Sequence, residues 1–306
     1  MELGVHLPLM PFGDEPLSLR RLQATVDAAR DCGFAAVSAN DHLVFQTPWL
    51  DGPTALASII ERAGEMALAT TVALAVVRGP IAAAKALAAI DVLSEGRLVA
   101  ALGPGSSERD YALAGIPFEE RWKRFDEAVA VLRALLSGGP VPERLRYYPV
   151  APDVELAPRP WRSDGIPLWI GSWGSSAGIA RVARAGDGWL ASAYNTTPEG
   201  FAAARTALTR ALDERGRPAE AFPNALATMW TWVSEDRAEG DRVLAEVLAP
   251  ILRRDPDDLR AQVCVGPAEH CAELLARYAD AGCDRVYLWP LGDEPRQLEL
   301  VAAALA

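Results

Sequence analysis

The side chains able to do chemistry in this chain are few, and their scarcity narrows what the chemistry can be. Three histidines (His6, His42, His270) and two lysines (Lys85, Lys123) stand among 306 residues. A Schiff-base enzyme needs a lysine presented to its substrate, yet both lysines fall within helical patterns. A catalytic metal site draws several ligands from His, Cys and carboxylates. There is no His-x-His here, and His270 lies on the helix that follows Pro267. A serine nucleophile of the hydrolase kind would need a Gly-x-Ser-x-Gly elbow, which is absent. What remains is chemistry carried by an organic cofactor, with few titrating groups supplied by the protein.

Four loops concentrate the candidates. Asn40-Asp41-His42 pairs an acceptor-only carboxylate with an imidazole that titrates near neutrality. The pair could hold a proton or anchor a polar ligand edge; equally, it could be a loop cap beside a surface histidine. In Gly103-Pro104-Gly105-Ser106-Ser107-Glu108 the glycines let backbone approach a ligand, and Glu108 or Asp110 could supply an acid. Gly171-Ser172-Trp173-Gly174-Ser175-Ser176 leads straight into a helix, where free N–H groups suit a phosphate, although a well-capped helix needs no ligand. Ser192-Ala193-Tyr194-Asn195-Thr196-Thr197 is a second hydroxyl-rich helix start. Trp49, Tyr111, Trp173, Tyr194 and Trp289 lie in or beside these loops, placed either to stack on a planar ligand or to fill the fold.

The elements that must position these loops alternate regularly. Short apolar runs at Leu3–Leu7, Phe34–Ala39, Ala69–Val76, Arg97–Leu102, Leu168–Ile170, Gly188–Ala193, Ala225–Val233 and Arg285–Trp289 read as strands, with amphipathic helical runs between them. Parallel strands need crossover helices, so eight βα units imply a parallel sheet. Closed on itself, that sheet is a (β/α)8 TIM barrel, expected as a single domain over residues 1–306. An open doubly wound sheet is the alternative, but no Gly-x-Gly-x-x-Gly follows Leu7. Pro140, Pro142, Pro149, Pro152, Pro158, Pro160 and Pro167 preclude a regular element between units four and five. That stretch, about 138–167, reads as a proline-rich insertion covering one end of the fold. In such a barrel, chemistry belongs at the C-terminal ends of the strands, where all four loops fall.

Composition adds exclusions. A formal charge of −11 and the lack of a basic cluster argue against nucleic acid. Met1–Leu9 has no basic n-region or long apolar h-region, so no secretory signal is expected. The longest apolar run, Ala67–Val77, is too short to span a bilayer. Cys32, Cys264, Cys271 and Cys283 form no Cys-x-x-Cys and are expected as reduced thiols in a cytoplasmic protein.

Over nearly its whole length the chain resembles the luciferase-like family of flavin- and coenzyme F420-dependent oxidoreductases. The resemblance rests on Gly4-Val5-His6-Leu7-Pro8, Ala39-Asn40-Asp41-His42-Leu43, Leu93-Ser94-Glu95-Gly96-Arg97-Leu98, Gly103-Pro104-Gly105-Ser106-Ser107, Gly186-Asp187-Gly188-Trp189 and Val265-Gly266-Pro267. It implies a tricyclic ring across the barrel mouth, backed by a third-strand bulge at Thr71-Val72, sometimes with a non-proline cis peptide in relatives. It implies Asp41 and His42 near the reactive ring position, and a cofactor phosphate held by Gly171, Ser172, Trp173, Gly174 and Ser175 with Ser192, Tyr194 and Asn195. Gly103, Gly105 and Ser106 would complete the cofactor site. In the sugar-phosphate dehydrogenase branch an acid stands where Ser106 does, and lysine serves the phosphate. A sugar-phosphate substrate is therefore not expected, and Arg78 could assist the cofactor phosphate instead. The implied activity is hydride transfer between coenzyme F420 and a small organic substrate. FMN is the alternative cofactor, in a monooxygenase supplied by a separate reductase, and a non-catalytic flavin-binding barrel is the third reading. Relatives commonly form homodimers.

Overall fold

The computed structural model describes residues 1–12, 15–151 and 155–305. The chain passes through β1 (Glu2–His6), α1 (Leu19–Asp31), β2 (Ala36–Ala39), α2 (Gly52–Ser58), β3 (Ala67–Leu74), α3 (Pro80–Leu93) and β4 (Leu98–Gly103). It continues with α4 (Glu108–Leu113), α5 (Arg121–Ser137), β5 (Leu168–Gly171), α6 (Ser176–Ala185), β6 (Gly188–Ser192), α7 (Pro198–Asp213) and β7 (Asn224–Val233). Three short helices follow, α8 (Arg237–Arg242), α9 (Ala249–Leu252) and α10 (Pro256–Arg260), with a π-helical turn at Val243–Leu248. The last elements are β8 (Cys264–Gly266), α11 (Ala268–Asp280), β9 (Arg285–Pro290) and α12 (Glu294–Leu305).

All strand pairings are parallel, and β1 to β7 with β9 close into an eight-stranded barrel through β6–β7, β7–β9 and β9–β1. The eight expected strands are these eight. The short β8 was not expected; it pairs only with the last residues of β7, outside the closed ring. Strand side chains alternate between two surfaces. Val37, Leu68, Leu168, Leu226 and Val286 pack outward with the helices, whereas Ala36, Ala69, Ala101, Trp169, Leu190, Ala225 and Tyr287 form a separate cluster. The alternation places that second set inside the barrel, where small alanines leave room for Trp169 and Tyr287.

Among the described residues, 138–167 hold no helix or strand; residues 152–154 of that stretch lie outside the description. The described part of the segment runs beside α3 and α5, and Arg162 reaches the N-terminal ends of the strands. Tyr148 donates to the Val76 carbonyl near the mouth (3.3 Å), Lys85 donates to the Ala157 carbonyl, and the Trp161 amide donates to Asp91 at the far end (2.9 Å).

The mouth is finished by a third apolar cluster. Met10, Phe12, Trp230 and Trp289 pack there beneath Leu244, Leu248 and Leu259 of the short helices after β7. Trp289 stacks between His6 (3.6 Å) and Trp230 (3.9 Å). Among the described residues no helix is long and apolar enough to cross a membrane.

Candidate active site

A cavity of about 440 Å³ opens at the C-terminal end of the barrel, bounded by the loops after β2, β4, β5 and β6 and by the middle of β3. One wall is built by a loop that folds back on itself. Asp51 caps α2 through the Thr54 amide (2.9 Å), and Gly52 lies so close to the Asn40 carbonyl that any Cβ would overlap it. That closure needs glycine, and it fixes Asn40, Asp41 and His42 at the cavity edge.

Asp41 is buried, and its carboxylate is fully engaged. It accepts from Arg78 Nε (2.5 Å), Arg78 Nη2 (2.6 Å) and the Leu74 amide (3.2 Å). Arg78 also pairs with Asp51. Burial opposes the Arg78 charge, but the hydrogen bonds and charges of Asp41 and Asp51 outweigh it and hold the guanidinium firmly protonated. Arg78 therefore ties the β2 loop to the end of β3. It is not the free cation suggested for a phosphate, and Asp41 anchors the loop that presents His42.

His42 faces the cavity with one ring nitrogen committed elsewhere. Nδ1 lies 2.7 Å from Asp110 Oδ2, while Asp110 Oδ1 accepts from the amides of Leu43 (2.9 Å) and Val44 (2.8 Å). Burial pushes the Asp110 carboxyl upward, but its bonds from His42, Val44 and Leu43 outweigh that and hold it below the usual carboxylate range. The ring is wedged by Phe45 (4.8 Å) and Trp49 (4.7 Å).

The wall opposite is β3, where the register against β4 slips between Thr71 and Ala73. The bulge stands at the expected residues, and the Thr71–Val72 peptide is cis. Val72 fills the space that side chains at positions 103 and 171 would take: a Cβ on Gly103 would lie 2.6 Å from Val72 Cγ2, and one on Gly171 3.0 Å from Val72 Cγ1. The hydroxyl of Thr71, buried at the cavity, has no partner among the described residues.

At the far end, Ser175 caps α6 by accepting from the Gly178 amide (3.2 Å), and Ser172 accepts from Gly174 (3.2 Å). The first-turn amides of Ser176 and Ala177 have no intrahelical acceptor and lie at the positive end of the α6 dipole. Ser192 is held by Thr228 (2.8 Å) and Asn195 (3.0 Å). Burial raises the Tyr194 phenol, which stays neutral beside it.

Of the residues expected here, His42, Asp41, Thr71, Val72, Gly103, Gly105, Ser106, Gly171, Ser172, Trp173, Ser175, Ser192 and Tyr194 all line this one cavity. Gly174 and Asn195 do not; Asn195 sits behind Ser192 and accepts from Arg254 (2.8 Å) in the segment between α9 and α10. Of the five loop aromatics, Trp173 and Tyr194 reach the cavity, whereas Trp49 and Trp289 pack beneath the short helices and Tyr111 is buried against the Pro104 carbonyl. Other contributors were not among the expected site residues. Arg121, at the start of α5, lines the cavity with Trp122, and its one side-chain hydrogen bond among the described residues is to the Phe118 carbonyl (3.0 Å). Asp110, named in the sequence only as a possible acid, is the buried partner of His42. No sequence signal marks either: one reads as a first-turn residue of an amphipathic helix, the other as the third-position acid of a helix capped by Ser107.

Comparison with known proteins agrees with this architecture. A family model described as luciferase-like monooxygenase matches residues 1–285. An F420-dependent glucose-6-phosphate dehydrogenase of Beutenbergia cavernae is 30% identical over 265 residues, covering 81% of this chain and 68% of that protein. An uncharacterised Mycobacterium tuberculosis protein is 32% identical over 114 residues, and the match spans only 38% of its length and 37% of this chain. Among solved structures, the monooxygenase RslO1 of Streptomyces bottropensis superposes with a TM-score of 0.84 at 22% identity, covering 100% of this chain and 98% of its own. An F420-dependent secondary alcohol dehydrogenase superposes at 0.83 and 17% identity, covering 100% and 99%.

Proposed function

This chain belongs to the luciferase-like monooxygenase family, and on that premise we propose that it binds coenzyme F420 at the barrel mouth and transfers hydride to or from a small organic substrate. One observation carries the reading: a single cavity is lined by His42, by the Thr71–Val72 bulge, by Ser172, Ser175 and Ser192, and by Arg121. The residues fit a phosphate-bearing planar cofactor. The glycines at 103 and 171 make room for the Val72 side chain at the bulge, and the unpartnered Thr71 hydroxyl offers a hydrogen bond to a ring edge.

In this reading the bound cofactor supplies the two-electron chemistry. Val72 and the bulged backbone would support the ring. Ser172, Ser175 and Ser192, with the amides at the start of α6, would hold the phosphate, and Arg121, which lines the same cavity and bonds only the Phe118 carbonyl among the described residues, would add a positive charge. His42 Nε2 takes a proton from a substrate hydroxyl, or gives one to a carbonyl oxygen, while the buried indoles beneath the short helices keep water from that side. The experiment is parallel equilibrium titration with F420 and FMN. Tighter binding of F420 is expected; tighter FMN binding, with substrate-dependent oxygen uptake, replaces this reading with a flavin monooxygenase. His42→Ala is expected to lower turnover roughly a hundredfold with cofactor affinity little changed.

A further inference from the structure

We infer that Asp110 is a positioning residue, which fixes His42 as the Nδ1–H tautomer and thereby turns Nε2 toward the cavity as the proton-handling atom. The role of Nε2 rests on the functional reading above; the tautomer rests on geometry alone. Asp110 Oδ2 stands 2.7 Å from His42 Nδ1. Its other oxygen accepts two backbone N–H groups, so both oxygens face donors, and an ionised carboxylate offers no proton of its own. The proton between Asp110 and His42 therefore resides on Nδ1. The carboxyl is 1% exposed, so water does not compete for it. The same low-polarity burial makes the loss of any one donor costly.

The two backbone bonds make this more than an ion pair. They tie residues 43 and 44 to the carboxylate that holds residue 42, so ring position and loop position are set by one group. Phe45 and Trp49 close off rotation of the ring from two sides. His42 Nε2 has no partner among the described residues, leaving it available to the cavity that His42 lines. A neutral His42 then offers an acceptor to a substrate hydroxyl, and a protonated one a donor to a carbonyl oxygen.

Asp110→Asn separates positioning from bulk structure. The asparagine oxygen can still accept from Leu43 and Val44, while its NH₂ now points at Nδ1. The ring must answer by moving its proton to Nε2, the wrong nitrogen for a base. The readout is the side-chain ¹⁵N NMR spectrum of protein labelled in its three histidines. His6 serves as internal reference: its Nδ1 lies 2.7 Å from the Leu7 carbonyl, and its Nε2 accepts from the Asn40 amide at 2.9 Å, so it too is an Nδ1–H tautomer. At a pH where His42 is neutral, the wild type is expected to show His42 with the pattern of His6. In Asp110→Asn the two His42 signals exchange ranges while those of His6 stay put, and Asp110→Glu restores the original pattern. An Nε2–H pattern for His42 in the wild type overturns the inference, whether or not any variant folds; so does an unchanged pattern in a folded Asp110→Asn. The spectrum needs neither cofactor nor substrate. Failure of cofactor binding therefore overturns the functional reading and leaves this result standing.

Discussion

Acid is expected to destabilise this protein through His6 before it titrates the carboxylates. His6 is buried, its Nε2 accepts from the Asn40 amide and its Nδ1 faces the Leu7 carbonyl, so both nitrogens are satisfied only in the neutral ring. Burial, opposed by the bonds to Leu7 and Asn40, lowers its pKa to about 3. Protonation would set two N–H groups against each other 2.9 Å apart, beside the loop that carries His42. Because the folded pKa lies below the unfolded value near 6.5, the unfolded chain binds the extra proton throughout the interval between them. Stability is fully present above about pH 6.5 and declines as pH falls. The slope approaches about 1.4 kcal/mol per pH unit, giving a loss of about 2.5 kcal/mol between pH 7 and pH 4.5. Urea denaturation at half-unit steps of pH measures it, with His6→Gln as the control, since glutamine can accept from Asn40 but does not titrate. The wild type should lose about 2.5 kcal/mol more than His6→Gln over that interval. Parallel losses in the two proteins would refute the reasoning.

Asp41→Asn, which leaves Arg78 facing Asp51 alone, should cost about 3 kcal/mol of unfolding free energy, read from denaturant midpoints. Gly103→Ala drives a methyl against Val72 Cγ2 at the bulge. It should cost about 1–3 kcal/mol and weaken F420 binding roughly tenfold in a fluorescence titration. Arg121→Gln should weaken FMN binding roughly tenfold, about 1.4 kcal/mol, while leaving riboflavin binding unchanged, because only FMN carries the phosphate.

Much of the fold was legible because its strands are apolar runs ended by glycine or by polar loops, with helices of clear period between them. The short β8 was not, since three residues before Pro267 carry no period. After β7 the helical stretch is broken into short pieces around a π-helical turn and Pro250, packed over Trp230 and Trp289. At the site, His42 and the glycine loops could be found because a barrel places its chemistry at strand ends. Asp110 could not, because its partner lies 68 residues away and its local pattern reads as an ordinary cap. Arg78 misled for the same reason: the sequence shows its charge, but not that Asp41 and Asp51 converge on it.

The central claim is that the cavity between His42 and the Thr71–Val72 bulge holds a deazaflavin or flavin cofactor. Titrating the protein with F420 and following its fluorescence tests this most directly. The account predicts saturable binding with one site per chain, weakened in both Gly103→Ala and Arg121→Gln. Binding of neither F420 nor FMN, or binding indifferent to both substitutions, would contradict it.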